Sequence, residues 1–346
     1  MPGPSPATNS DINLNTTYAP AFIDRFARLV DQLPVPVWVF YLLLLVAGYL
    51  FFGAIRLLTG YQQSQTLTPA PALIWDVSIL ALHQYLDGYA LRALASFNKT
   101  LGASDERLAQ LGRRLTVLPL RLEVIGAVFW VLLALVLVWV QLGSFLEYFA
   151  PWEILISLTS FAIGGAFFVH IIYQLRLVSR IHASAANIDL FDPEPLYSFS
   201  RLTVRTAIGF VVLQYLVLLV LPGEIRISTV LIPVVSATGL AVVFFVWPLW
   251  GMHRRLVANK ERIEGGINAL LKQSVDELAP VVRSGVPEDI ERLEKSLSAL
   301  RAGKQAVGDL PTWPWQPRTV RGFATALLLP IFLWLIQELL ARVAGF

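Results

Sequence analysis

Asp76, His83 and Asp87 are the residues whose types and spacing first suggest chemistry, because each can ligate a metal or move a proton. They fall at i, i+7 and i+11, so a helix carries all three on one face. Three ligands spread along one helix cannot enclose an ion by themselves, and no His-x-x-Glu-His or Glu-x-x-His spacing supplies the rest. The expectation is a solvated polar face and no metal site. His170 stands inside an apolar run, about one turn before Gln174 and Arg176. Burying an ionisable group is costly, which makes it a functional candidate; its nearness to the end of the run favours a hydrogen-bonded packing role. The alternative is a polar pathway through His170, Gln214, Ser236, Thr238 and Gln337, against interhelical hydrogen bonding for the two glutamines.

Other chemistry is thinly represented. The chain has no cysteine, which excludes disulfides, thiolate zinc sites and iron–sulfur clusters. It lacks a Gly-x-Ser-x-Gly elbow, a hydroxyl paired with histidine, and a phosphate-cradling glycine loop. The expected protein is not an enzyme, has no catalytic residues and needs no cofactor. Its net charge is only +3, with no basic, aromatic-interleaved patch, so nucleic acid is not an expected partner.

The elements that must position these residues are membrane helices. The 346 residues are 56% hydrophobic and 15% charged, with a mean hydropathy of +0.63, against roughly a quarter charged in soluble domains. Six stretches approach the roughly 20 apolar residues of a span: Val35–Ile55, Val124–Phe145, Ile154–Leu175, Thr206–Leu221, Val230–Trp250 and Val320–Leu340. If 56–122, 176–205 and 253–321 are cytoplasmic, they hold 23 of the 27 Lys and Arg. By the positive-inside rule this puts both termini outside. The expected organisation is an outer tail with a short amphipathic helix (1–34), span one (35–59), cytoplasmic amphipathic helices (60–122), spans two to five (123–252), a cytoplasmic antiparallel helical hairpin (253–310), and a Trp/Pro joint with span six (311–346).

Within that frame, Phe22, Phe26, Leu29 and Val30 share a face suited to the membrane surface. The stretch around 71–94 reads as a helix on the inner surface or against the bundle. Ser104 is a helix cap, with Asp105 and Glu106 in the first turn. In the hairpin, Ile263 and Leu270 mark one seam and Leu293 and Leu297 the other, with a turn before Pro287. Pro233 and Pro330 are hinge candidates. Trp247 and Trp250, and Trp313 and Trp315, form two Trp–Pro collars flanking the hairpin, as interfacial anchors or as transmitters of hairpin movement.

The segments "RLVSRIHASAANIDLFDPEPLYSFSRLTVRTAIG", "FVWPLWGMHRRL" and "LPTWPWQPRTVRGFATALLLPIFLWLIQ" resemble recurring parts of an uncharacterised family of prokaryotic polytopic membrane proteins with no assigned activity. The resemblance implies the architecture and no site residues. The expected function is an oligomeric channel of the bacterial inner membrane, gated through the hairpin. The alternative is a scaffold or sensory subunit whose hairpin docks a protein. The expected partners are the lipid bilayer and a second copy or another membrane protein.

Overall fold

The computed structural model describes residues 20–59, 69–142, 151–185, 190–220, 227–328 and 332. Among these residues the chain is all helical: α1 (Phe22–Asp31), α2 (Val37–Thr59), α3 (Pro69–Leu101), α4 (Asp105–Thr116), α5 (Leu120–Leu142), α6 (Pro151–Ala183), α7 (Tyr197–Val220), α8 (Ile227–Ser284), α9 (Pro287–Gly308) and α10 (317–328). Three helical stretches, Val37–Ile55, Ile154–Ala183 and Val235–Ser284, are apolar and long enough to cross a membrane. The expected spans over 124–145, 206–221 and 320–340 all extend beyond the described residues.

Local signals set many of the boundaries. The Ser104 hydroxyl accepts the Arg107 N–H at 3.4 Å, so it satisfies one of the free donors at the start of α4. Gly285, at φ 67°, supplies the left-handed residue that turns α8 into α9, and Pro287 occupies the first turn of α9, where its missing N–H costs nothing. Pro311, Pro314 and Pro317 lie in or border the non-helical joint ahead of α10. By contrast, α8 is one helix of 58 residues, about 87 Å long at 1.5 Å per residue, and continues through Pro233, Pro248 and Pro280. Pro330 lies outside the described residues.

Helix α3 occupies the middle of the bundle, which is the second of the two placements its sequence allowed. It runs antiparallel to α2: the Tyr41 hydroxyl donates to Leu80 O at 3.2 Å and to Gln84 Oε1 at 2.8 Å, while Gly48, a turn or two later on α2, packs against Leu73. It runs parallel to α6, since Asp76 meets Ser160 and Asp87 meets His170. Its other neighbour is α7, where Phe97 and Phe199 lie 5.1 Å apart and Arg205 sits over the Tyr89 ring at 3.9 Å.

Small residues on α6 set how closely its neighbours approach. A Cβ on Gly165 would run into the Gly126 carbonyl, and one on Gly126 would lie 2.6 Å from Val169. The backbones of α5 and α6 therefore touch there, as small-residue seams permit. Gly164 faces Trp75 of α3, so adjacent glycines serve two different neighbours.

Helix α1 departs from the surface-helix expectation. Phe22 and Leu29 are exposed, whereas Ile23, Asp24, Ala27 and Val30 are buried against the bundle. The Phe22 and Ile23 N–H groups donate to the two carboxylate oxygens of Glu123 at 2.8 and 3.1 Å. A carboxylate is favoured at a helix N-terminus, where free N–H groups and the helix dipole both offer positive charge. This contact joins α1 to the first turn of α5, in which Glu123 lies.

Candidate functional site

The polar core of the molecule is assembled at the junction of α1, α3, α5 and α6. Along α3, the three residues singled out in the sequence separate. Asp76 accepts a hydrogen bond from the Ser160 hydroxyl at 2.8 Å. His83 and Asp87, one turn apart, point instead into a compact cluster with Asp24 of α1 and His170 of α6. The expected solvated face is therefore a buried one: His83 is 1% exposed, Asp24 4% and His170 3%.

Both rings present Nε2 to carboxylates. His83 Nε2 is 3.2 Å from Asp24 Oδ1 and 3.5 Å from Asp87 Oδ2, while His170 Nε2 is 3.0 Å from Asp87 Oδ1. The two rings meet edge to face with centroids 4.3 Å apart. Among the described residues neither Nδ1 has a hydrogen-bond partner, so the carboxylates are the polar anchors seen for both rings.

Each carboxylate also accepts a second hydrogen bond. Asp24 Oδ2 accepts the Leu118 N–H at 3.0 Å, and Asp87 Oδ1 accepts Gln174 Nε2 at 3.0 Å. Gln174 is fully buried, and its Nε2 also donates to Leu115 O at 2.9 Å. Glu123 lies nearby as the cap of α1. Further along α1, Gln84 Nε2 donates to Ala27 O at 3.4 Å and to an Asp31 carboxylate oxygen. Buried polar groups are stable only when partnered in this way.

The sequence drew attention to His83, Asp87 and His170, but not to Asp24, Glu123 or their convergence. Asp24 sits in the first turn of an amphipathic helix, where an acidic residue is unremarkable. The missing partners come from elements 59 and 83 residues away. Chemically, one ligand atom each from Asp24, His83 and His170 lie within 4.8 Å of one another, with Asp87 alongside.

The other polar-pathway candidates do not join this cluster. Gln214 on α7 and Thr238 on α8 are half-buried, and Ser236 is exposed. Among the described residues no hydrogen bond links these three to one another or to His170. Gln337 lies outside the described residues.

The Trp–Pro collars converge. Across the joint, Trp250 and Trp313 have centroids 5.7 Å apart, His253 stacks on Trp313 at 3.8 Å, Trp313 on Trp315 at 4.1 Å, and Trp315 on Phe245 at 5.1 Å. Phe323 of α10 ends the ladder, 4.7 Å from Phe245. His253 Nδ1 lies 2.9 Å from Thr312 O. Lys260 Nζ donates to Leu310 O at 3.2 Å and to Gly308 O, placing a cation at the C-terminus of α9. Trp247 remains exposed.

In the hairpin seam, Leu293 is buried and Ile263 and Leu297 are half-buried, but Leu270 is exposed. The chain matches no family model, no curated protein and no solved structure.

Proposed function

We propose that this chain is a non-enzymatic, multi-pass protein of the cytoplasmic membrane in which a cytoplasmic helical hairpin acts as a lever on the bundle and gates an oligomeric channel. The observation that carries the lever is the continuity of α8, one helix from the apolar stretch to the hairpin tip. Movement at the tip has no flexible joint in which to dissipate before it reaches Phe244 and Phe245 in the core. The stacked collars fasten the start of α10 to the same helix. At the inner end of α6, Arg255 donates to His182 O and Ala185 O at 3.0 and 3.2 Å, and serves as the pivot.

Wide apolar outer faces on α2 and α5 support the membrane reading, since Leu50, Phe51, Ile125, Phe129 and Trp139 are each more than 60% exposed, far beyond what a soluble surface tolerates. Although α3 is not among the three stretches apolar enough to cross by themselves, its direction, antiparallel to α2 and parallel to α6, favours seven crossings over six, with its first half returning through the bilayer. The N-terminus then lies inside and the C-terminus outside. This leaves Arg56, Arg226 and Arg342 as the outer basic residues among 27, in keeping with the positive-inside rule. Because the chain has no native cysteine, the two topologies are separable by labelling. A single Ser64→Cys should react with an impermeant thiol reagent from outside and Ser10→Cys only after permeabilisation. The reverse pattern would restore the six-span topology.

For conduction, exposed Ser236 and Gly239 on α8 favour a pore around a symmetry axis between copies. Purified protein in liposomes should pass ions, and shortening the hairpin should change the open fraction. Absence of flux from a well-folded oligomer would sink the channel. The second reading, a scaffold, is favoured by the apolar residues Leu270, Val275, Leu278 and Val282 exposed along the hairpin. It requires a stoichiometric protein partner that is lost when Leu278 and Val282 become charged.

A further inference from the structure

We propose that Asp24, His83, Asp87 and His170 form a closed site for one zinc-class divalent cation, which clamps α1 to α3 and α6. Zinc bound at about 2.0–2.1 Å by nitrogen and oxygen ligands in a tetrahedron places neighbouring donors about 3.3 Å apart. One donor atom each of Asp24, His83 and His170 lies within 4.8 Å of the others, with His83 3.2 Å from Asp24, and Asp87 stands beside them, 3.5 Å from His83 through Oδ2 and 3.0 Å from His170 through Oδ1. Asp87 completes the set by turning one of its oxygens toward the other three donors.

Charge points the same way. Asp24 and Asp87 bring two carboxyl groups to the two imidazoles, in a region where Glu123 is a third buried carboxyl group. Uncompensated buried charge is expensive, and a divalent cation balances the pair. The carboxylate oxygens divide the work accordingly. Asp24 Oδ2 is taken by the Leu118 N–H, leaving Oδ1 directed at His83. Gln174 donates to Asp87 at Oδ1, the oxygen that also faces His170, so it fixes the carboxylate and leaves Oδ2 directed at His83.

The set of two imidazoles and two carboxylates suits zinc, with cobalt as its spectroscopic substitute. With Asp87 turned in as the fourth ligand, three helices fill every position, so the proposed site is structural. The sequence objection, that one helix cannot enclose an ion, is met because α1 and α6 supply the other two ligands. The site stands or falls independently of the channel.

The test uses the full chain in nanodiscs, without a histidine tag, stripped by a chelator and then titrated with Zn²⁺ alone or Co²⁺ alone. One equivalent per chain should bind, Co²⁺ should give the intense visible bands of a tetrahedral complex, and Zn²⁺ should raise Tm and slow proteolysis between α1 and α2. Gln174→Leu should weaken binding about 10–100-fold, Asp76→Asn should leave it unchanged, and His83→Gln or His170→Gln should abolish the cobalt bands. No saturable uptake by the wild-type chain would overturn the site. So would binding that survives in both histidine variants, or a weak octahedral cobalt spectrum.

Discussion

The two polar-aromatic junctions of this molecule hold helices together by opposite means. The Asp24–His83–Asp87–His170 cluster is buried, charged and directional, and its members come from three helices far apart in sequence. The Trp250–His253–Trp313–Trp315–Phe245 ladder is partly exposed and stacked. Stacked rings can slide over one another at little cost, whereas a buried carboxylate that loses its partner cannot. The first junction fits a fixed clamp and the second a joint that transmits movement.

The contrast is broken most directly at His83. His83→Leu leaves two buried carboxylates short of a partner and should cost about 3–5 kcal/mol, measured by thermal unfolding, with α1 becoming protease-sensitive. Combining it with Asp24→Leu should recover part of the loss, because removing both partners costs less than orphaning one. If the double variant is simply the sum of the singles, the cluster is not a charge network.

Next in size is Gly165→Ala, five residues before His170 on α6. Its Cβ meets the Gly126 carbonyl, and overpacking should cost about 1–3 kcal/mol while pushing α5 and Glu123 away from the cluster. Trp313→Leu should cost about 1–2 kcal/mol through lost stacking. It should leave α1 as resistant to protease as before while loosening the start of α10, read as faster hydrogen exchange over 317–323. A loss of α1 protection there would collapse the distinction between clamp and joint.

Lys260→Met removes the cation from the end of α9 and should cost about 0.3–1 kcal/mol, read as faster hydrogen exchange over 305–310. The smallest effect is expected from the exposed Lys295–Glu291 pair, 2.6 Å apart, where Lys295→Ala should change stability by no more than about 0.5 kcal/mol.

Much of the fold was legible wherever a local rule sufficed. Ser104 reads as a cap, Pro287 as a helix start, and the prolines at 311–317 as a joint, because each acts on its own backbone. The unbroken course of α8 was less legible: Trp247, Pro248 and Trp250 suggest a boundary, yet packing on both sides carries the helix through. The site was half-legible. His83 and Asp87 stand out by spacing, but the same pattern describes a wet helix face, and nothing local says which neighbour will cover it. His253 escaped notice because its role depends on a ring 60 residues away.

The sequence by itself determined the helical class, the ends set by caps and prolines such as those of α4 and α9, and the apolar character of the bundle, since hydrophobic runs, caps and prolines act within a few residues. Only the tertiary structure decided that α3 lies inside the bundle, that Asp24 and His170 close on His83, and that the two collars stack into one. These depend on the rotation and direction of whole helices, which glycine contacts such as Gly126 with Gly165 set. Helical periodicity leaves that choice open.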